Sequence, residues 1–353
     1  MTMSTTTIKQ VVMYVTLACA MQTFASNAVA KKSAAIEAAA ATPTKKETVT
    51  LKIATLAPKG SLWAKYFDKL SEKISTETKG AVKLKIYPGG IQGDESEVVA
   101  KLKRGQLDGA AVTAIGLSQI NPEALVLQMP GVFKNEAAID RVRSNTSVID
   151  AFDKSFDKKG YKLLGWGEYG WIHLFTKKKI SSIDDIKKEK VWQWTEDKIV
   201  GHILKRLGIS GTPRSLPEVY PALGSGALTV VFNTMYGAMA MQWHSLVNYY
   251  VDEPLALGIG ATVLTNSAAK KLTADQWTIV QDLSKRAHDG LIKKMRADSA
   301  KTKKALAKMG IKAIKISPAD KKKLDAVSKE TVNSFSGKFY TKTLLSTIQS
   351  TAK

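Results

Sequence analysis

Residues 49–90, VTLKIATLAPKGSLWAKYFDKLSEKISTETKGAVKLKIYPGG, contain the pattern that decides the fold class. Apolar and polar side chains alternate at 49–53 and again at 82–86, as is typical of half-buried strands. Between them, the apolar residues of 61–78 recur at helical spacing, and Gly80 ends the helix. The order strand, helix, strand predicts an α/β architecture with largely parallel pairing.

The same rhythm continues along the chain. Strands are expected at 161–166, 172–175 and 191–194, and a helix is expected at 198–207. From Thr273 onward the sequence is helical and polar, and one long apolar stripe runs through Trp277, Val280, Leu283, Ala287, Leu291 and Met295. A helix of this length is suited to bracing two lobes.

Composition narrows the functional classes. The chain has 353 residues, of which 44% are hydrophobic and 24% charged, and this describes a globular protein of one large domain or two lobes. A single cysteine excludes a disulfide framework and a multi-cysteine metal site, and the four scattered histidines supply no helical metal-ligand pair. Phosphate-loop, dinucleotide-binding and nucleophile-elbow motifs are missing, so we expect neither an enzyme nor a cofactor.

The N-terminus has the pattern of a secretory signal. An apolar run at 11–21 is too short to span a membrane, and Ala28-Val29-Ala30 suits signal peptidase, so residues 1–30 are predicted to be a signal peptide. Residues 31–47 are rich in Ala, Thr and Lys and are predicted to be a flexible leader. The protein is therefore expected in the periplasm. Lipidation at Cys19 is the less favoured alternative.

Aromatic residues concentrate in the middle of the chain. Five of the seven tryptophans lie between positions 166 and 243. Trp192 and Trp194 flank Gln193 on an expected strand, so both indoles should point to the same face. Such a pair either fills a core or lines a cleft, and spacing alone leaves both possibilities open.

The order of several short motifs resembles a known family, the DctP-type extracytoplasmic solute-binding proteins of tripartite ATP-independent periplasmic (TRAP) transporters. The resemblance covers nearly all of residues 48–345. The matching segments are Pro88-Gly89-Gly90-Ile91-Gln92-Gly93, Gly105-Gln106-Leu107-Asp108, Met129-Pro130-Gly131-Val132-Phe133, Ile183-Asp184-Asp185-Ile186-Lys187 and Glu218-Val219-Tyr220-Pro221-Ala222-Leu223.

The resemblance implies a two-lobed α/β binding-protein fold with mixed sheets, hinge strands and a long connecting helix. Lobe I would comprise 48–169 with about 258–297, and lobe II 170–257 with about 298–351. The lobes would close around a small molecule, usually an organic acid, and deliver it to inner-membrane transporter subunits.

Two basic positions of the family differ in this chain. The family's ligand-clamping Arg corresponds to Trp192 within Lys190-Val191-Trp192-Gln193-Trp194, and a second basic residue corresponds to Ile172, with His173 beside it. The Asn that often contacts ligand is matched by Asn233. Exchange of a guanidinium for an indole removes the paired hydrogen bonds that hold a carboxylate, so a dicarboxylate should lose its main anchor.

The resulting cleft is expected to be aromatic and free of Arg. The candidate ligand-binding residues are Asp94, Tyr169, Trp171, His173, Trp192, Trp194, Glu218, Asn233 and Tyr236. Negative charge would come from Glu168, Glu196, Asp197 and Glu218. A cationic or amphipathic aromatic ligand is favoured, a neutral sugar-like ligand is second, and a cleft filled by its own tryptophans is a third possibility.

Other roles remain open at this point. The same fold would suit an envelope accessory protein of a multidrug efflux or resistance system, or an envelope adaptor without a ligand. Net charge is +22, and residues 267–353 hold 20 Lys and Arg against 7 Asp and Glu. This basic C-terminal region predicts a solvated surface first and contact with an anionic membrane or acidic partner second. Nucleic acid is not expected as a partner of an exported protein.

Overall fold

The computed structural model describes residues 48–353, and the predicted signal peptide, the leader and Cys19 lie outside the described residues. The strands are β1 (Val49–Thr55), β2 (Val82–Tyr87), β3 (Gly109–Thr113), β4 (Tyr161–Thr176), β5 (Val191–Trp194), β6 (Gly211–Arg214), β7 (Val230–Thr234), β8 (Tyr249–Val251), β9 (Ala256–Thr265) and β10 (Lys312–Ile314).

The helices surround these strands. They are α1 (Leu62–Glu77), α2 (Glu95–Lys103), α3 (Ala114–Ser118), α4 (Glu136–Ser144), α5 (Thr146–Lys158), α6 (Ile183–Ile186), α7 (Lys198–Leu207), α8 (Val219–Ser225), α9 (Met235–Ala240), α10 (Asn266–Ala269), α11 (Ala274–Lys308), α12 (Pro318–Phe335) and α13 (Lys342–Thr351). Three short 3₁₀ turns lie at Pro122–Gln128, Leu216–Glu218 and Trp243–Ser245. The mixed α/β class predicted from the sequence is confirmed.

The strands form one mixed sheet in the order β2-β1-β3-β9-β4-β7-β5-β6, with β8 on β4 and β10 on β8. Pairing is parallel near both ends, between β1 and its neighbours β2 and β3 and between β5 and its neighbours β6 and β7. In the middle, β9 is antiparallel to β3 and β4, and β4 is antiparallel to β7. The expectation of largely parallel pairing was therefore too simple, because the two long central strands run in opposite directions.

Strand β4 corrects a second expectation. The sequence predicts separate strands at 161–166 and 172–175, but a single strand covers Tyr161–Thr176 and pairs with β9 from Tyr161 to Ile172. The glycines between the expected strands accompany register shifts at Leu163/Gly165 and Glu168/Gly170. Gly170 has φ +106°, which residues with a side chain rarely adopt, so the strand is bulged here and not broken.

The long helix α11 confirms the stripe found in the sequence. It has 35 residues, and Thr273 caps its N-terminus by accepting a hydrogen bond from the Gln276 N–H. Its buried residues follow one face at helical spacing, and they pack against α1 and β4. They are Val280, Ser284, His288, Leu291, Ile292, Met295, Thr302 and Leu306.

Separate apolar clusters stabilise the two ends of the sheet. Leu51 and Ile53 of β1 pack with Leu70 and Ile74 of α1. At the opposite end, β5 and β7 pack with Ile183, Leu204 and Leu207. The largest cluster lies in the centre and includes Trp192, Trp194 and Trp243. Within residues 48–353, no helix is both long enough and apolar enough to cross a membrane.

Candidate functional site

The candidate site is a cavity of about 170 Å³, here called the central cavity, against the middle of the sheet. Residues from both ends of the sheet line it, and they belong to strands β1, β3, β4, β5, β7 and β9, among other elements. Six aromatic side chains contribute, namely Trp63, Phe67, Tyr169, Trp192, Trp194 and Phe232. Three carboxylates, Glu95, Glu168 and Asp197, also line it, whereas no Lys or Arg of residues 48–353 does. The lining is thus aromatic and acidic.

Glu95 lies at the start of α2 and is 2% exposed. Its carboxylate accepts hydrogen bonds from the N–H of Thr113 at 2.6 Å, from the Thr113 hydroxyl at 2.7 Å and from the Gly116 N–H at 2.7 Å. Burial away from water nevertheless raises the pKa of Glu95 to about 7, with a further contribution from the nearby charge of Asp94. Its neighbours are hydrogen-bond donors without a formal positive charge.

Asp197 caps helix α7 from the opposite end of the sheet. Its carboxylate accepts a hydrogen bond from the Val200 N–H at 2.9 Å, and the residue is 3% exposed. Burial raises the pKa of Asp197 to about 6, although the backbone bonds to Val200 and Ile199 oppose this. Two buried carboxylates from different parts of the chain therefore line the same cavity.

Tyr169 also lines the central cavity and is held in place by its neighbours. Its hydroxyl donates a hydrogen bond to Oε1 of Gln128 at 2.8 Å. Burial, followed by the charges of Glu95 and Asp197, raises the pKa of Tyr169 well above its usual value. Its ring fits against Gly258, where a Cβ atom would lie 2.2 Å from a ring carbon, so only glycine is compatible with this placement.

The tryptophan pair forms an aromatic wall. The rings of Trp192 and Trp194 stack with centroids 6.0 Å apart, as expected for side chains on the same face of β5. Trp192 also stacks on Phe232 at 4.5 Å and meets Trp243 edge-on at 5.6 Å. Trp192 is 1% exposed. It therefore fills the core and also lines the central cavity, which were the two possibilities that the sequence left open.

Asp94 connects segments that are far apart in the sequence. One carboxylate oxygen accepts the N–H of Glu95 at 2.8 Å and thereby caps α2. The other oxygen accepts the indole N–H of Trp194 at 2.8 Å and the backbone N–H of Leu216 at 2.9 Å. Asp94 is itself buried and is not among the residues lining the central cavity. It positions the wall.

Asn233 lines the central cavity, although its amide is partly engaged. Its Oδ1 accepts the Thr234 N–H at 2.8 Å, and its Nδ2 lies 3.6 Å from the Met241 sulfur. Asn233 therefore retains an amide donor next to the cavity, held only by a weak sulfur acceptor.

Three of the predicted site residues, Trp171, His173 and Tyr236, line a different cavity of about 200 Å³, here called the lateral cavity. Nδ1 of His173 lies 2.9 Å from the Val251 carbonyl, and burial lowers the pKa of His173. The Tyr236 hydroxyl accepts the Leu62 N–H at 2.6 Å, and its ring meets Trp63 edge-on. Tyr169 and Glu168 line both cavities and separate them.

Glu218 does not line the central cavity, and Glu168 lines it but is already paired with a cation. Glu218 is exposed, and its carboxylate accepts the N–H and hydroxyl of Ser215, which closes a helical turn and lowers the pKa of Glu218. Glu168 reaches the cavity wall but accepts two hydrogen bonds from Arg296, at 2.9 and 2.6 Å. Its negative charge is already balanced within the chain.

Sequence reasoning missed several lining residues. Glu95 follows Asp94 at the start of a helix, where acidic residues are common because they interact favourably with the helix dipole. Phe232 and Gln128 belong to segments with the pattern of core and turn, and Trp63 lies on the apolar stripe of α1. Within residues 48–353, no group of three His, Cys, Asp or Glu side chains is placed to hold a metal ion.

A comparison with protein families matches residues 53–338 to the bacterial extracellular solute-binding proteins, family 7, also called DctP. Among curated proteins, the uncharacterized protein YiiZ of Salmonella typhimurium is 25% identical over 240 residues, which is 66% of this chain and 73% of YiiZ.

Solved structures give the same picture of the fold. A TRAP periplasmic solute-binding protein from Xanthobacter autotrophicus with bound β-D-galacturonate has a TM-score of 0.79 at 19% identity, covering 85% of this chain and 99% of that one. Another from Desulfovibrio salexigens, with bound orotic acid, has a TM-score of 0.78 at 19% identity, covering 86% and 99%. These likenesses confirm the predicted two-lobed fold and give no support to the efflux-accessory alternative. The chain therefore belongs to family 7 of the bacterial extracellular solute-binding proteins, and its resemblance to the DctP-type proteins of TRAP transporters is confirmed.

Proposed function

We propose that this chain is a solute receptor that binds an organic cation with an aromatic or apolar body in the central cavity. The observation that carries the proposal is the pair of buried carboxylates, Glu95 and Asp197, in a cavity lined by no Lys or Arg of residues 48–353. A buried charge without a counter-charge is costly, and a cationic ligand would supply that counter-charge.

An organic acid would meet the opposite situation. The solved neighbours named above carry galacturonate and orotic acid, both of which have a carboxylate. In this chain the position of the family's clamping Arg is Trp192, whose indole N–H donates to the Arg214 carbonyl at 3.0 Å and is thus already engaged. A ligand carboxylate would lie near Glu95 and Asp197 with no cation to hold it, so affinity for acids should be low.

The aromatic wall favours the same class of ligand. Trp192 stacks on both Trp194 and Phe232, and Trp63 also lines the central cavity. An indole face attracts a cation by about 0.5 to 2 kcal/mol, and it also packs against apolar groups. The aromatic wall and the carboxylates should therefore both increase the affinity for an organic cation.

We further propose a closing motion between lobe I (48–169 with about 258–297) and lobe II (170–257 with about 298–351). Asp94 in the first would bind Trp194 and Leu216 in the second, and the Tyr236 hydroxyl would bind the Leu62 N–H across the same boundary. Export to the periplasm and delivery to inner-membrane subunits complete this proposal, in which the chain binds its solute without catalysis.

The proposal is tested with ligands that share a shape but differ in charge. Phenethylamine, phenylethanol and phenylacetate would each be titrated into the purified mature protein by isothermal titration calorimetry at pH 8. We expect the ammonium to bind at least tenfold more tightly than the alcohol and the carboxylate to bind weakest. Tightest binding of phenylacetate would overturn the assignment.

A matched pair of variants locates the charge. Asp197→Asn keeps an oxygen that can cap α7 but removes the negative charge, so phenethylamine should bind at least tenfold more weakly. Glu196→Gln makes the same chemical change one residue earlier, outside the cavity lining, and should leave the affinity unchanged. Equal effects of the two substitutions would show that long-range charge alone explains the preference.

A further inference from the structure

A third cavity, here called the apolar cavity, has a volume of about 160 Å³ and lies between the sheet and helices α7 and α12. Most of its lining is aliphatic, contributed by Leu174, Ile183, Val191, Leu204 and Leu324 among others. Its size is close to that of the roughly 150 Å³ cavities, lined by apolar side chains, that accept a benzene ring. This cavity is large enough for an alkyl or aryl group.

The apolar cavity borders the central cavity directly. Gln128, Ile172, Asp197 and Phe232 line both cavities, so a single layer of side chains separates them. Asp197 is the charged member of that layer and is 3% exposed. A carboxylate thus stands at the junction between an aromatic, acidic cavity and an aliphatic one.

We infer that the apolar cavity is a second subsite, which receives the hydrocarbon tail of an amphiphilic ligand whose ammonium group lies beside Asp197. This inference rests on the proposed function and extends it from an organic cation to an alkyl or arylalkyl amine. The tail would pass between Ile172 and Phe232, the two apolar members of the shared layer. Aliphatic walls exclude hydrated groups, so the subsite selects for an apolar tail.

Two homologous series of ligands test this inference. Primary n-alkylamines from propylamine to octylamine, and the corresponding neutral n-alkanols, would be titrated by isothermal titration calorimetry. Burial of each additional methylene should increase affinity about fourfold until the cavity is filled. The alkanols measure the apolar contribution without any contribution from the charge.

One substitution fills the subsite, and a second controls for it. Ser328 of α12 lines the apolar cavity, so the larger side chain of Ser328→Leu should occupy it. The ratio of octylamine affinity to propylamine affinity should then fall at least tenfold. The loss should be smallest for propylamine, whose short tail reaches least far into the apolar cavity. Ala326 of the same helix is exposed and lies outside the lining, so Ala326→Leu should preserve the whole gain.

The outcomes separate the two proposals. An unaltered chain-length gain in Ser328→Leu, or the absence of any gain in wild type, would overturn the second subsite, whether or not amines bind better than alkanols. If alkanols and amines of equal length bind equally and both lose the gain in Ser328→Leu, the subsite stands and the preference for cations fails. If only amines bind and their gain is lost in Ser328→Leu, both proposals are supported.

Discussion

The central and lateral cavities are lined by buried carboxylates that differ in their charged surroundings. Glu168, in the wall between them, is bound by Arg296 at 2.6 and 2.9 Å and has Arg143 at 3.7 Å. Glu95 and Asp197, in the central cavity, receive hydrogen bonds only from backbone N–H groups and one hydroxyl. The protein supplies its own counter-charge in one case, and we propose that a ligand supplies it in the other.

The difference has an energetic meaning. Removal of one member of a buried ion pair leaves an uncompensated charge, which costs several kcal/mol. Burial raises the pKa of all three carboxylates, but only at Glu168 do positively charged side chains, Arg296 and Arg143, oppose that rise. We therefore propose that Glu168 contributes mainly to stability, and that Glu95 and Asp197 contribute mainly to binding.

The largest expected effect tests the ion-pair side of this comparison. Arg296→Met should lower the free energy of unfolding by about 3 kcal/mol, because Glu168, whose side chain is 3% exposed, loses its main partner. Chemical denaturation at pH 7 would measure the change. Arg286→Met, at an exposed position on the same helix, is the matched control and should have an effect close to zero.

A second substitution identifies the cause of that loss. Glu168→Gln added to Arg296→Met removes the orphaned charge and should recover about half of the lost stability. If the double variant is no more stable than Arg296→Met alone, lost packing of the Arg side chain explains the destabilisation, and the contrast between the cavities is weaker than we describe.

The next prediction concerns pH. Glu95 binds its proton more tightly in the folded protein, with a pKa of about 7 against 4.5 for an ordinary Glu, so its contribution to stability is fully present below about pH 4.5 and is lost as pH rises through about 7. Glu95→Gln removes this contribution. The stability difference between wild type and Glu95→Gln should fall by on the order of 3 kcal/mol across that range.

Denaturation of both proteins at pH 4 to 8 would measure this difference. The subtraction removes the contributions of other titrating groups, such as Asp140, whose pKa is lowered by the hydrogen bond to Arg296. Parallel profiles for the two proteins would contradict the raised pKa. Phenethylamine affinity should rise over the same pH range, because the carboxylates must ionise to attract the ammonium group.

Tyr169, which separates the two cavities, provides a third test. Gly258→Ala would place a methyl group about where the Tyr169 ring now packs, and we expect a loss of about 2 kcal/mol in stability. Phenethylamine binding should also weaken, since the displaced ring lines the central cavity together with Glu95 and Asp197. In a Tyr169→Ala background the same Gly258→Ala change should cost much less, and equal costs in both backgrounds would contradict the close packing.

The fold was largely predictable from the sequence, because alternation and helical spacing are local signals. Strand β5, helix α7 and the long helix α11 lie where the pattern places them. Strand β4 was divided wrongly, since the glycines at its bulges give the same signal as a turn. Its pairing with β9, almost a hundred residues away, is a long-range contact that no local pattern specifies.

The site was less predictable for the same reason. Trp192 and Trp194 were found through their common strand face, and both line the central cavity. His173 lies in the lateral cavity because it follows Ile172 on β4, where successive side chains point to opposite faces, and Tyr236 of α9 lines the lateral cavity as well. Glu95 and Asp197 each occupy a helix start, where an acidic residue usually indicates only a cap, and their meeting depends on tertiary packing.

The smallest expected effect tests Asp94, a third buried carboxylate that also lacks a cationic partner within hydrogen-bond reach. Trp194→Phe keeps the stacked ring but removes the indole N–H that donates to Asp94 at 2.8 Å, while the Leu216 N–H remains as a donor. Because this bond would form only when the lobes approach, its loss should weaken phenethylamine binding about fivefold, or about 1 kcal/mol, with little change in stability. Trp277→Phe on α11, outside the cavity lining, is the control and should bind as wild type does. An equal loss of stability and of affinity would show instead that the bond holds the fold together regardless of closure, and Asp94 would then belong with Glu168 on the structural side of the comparison.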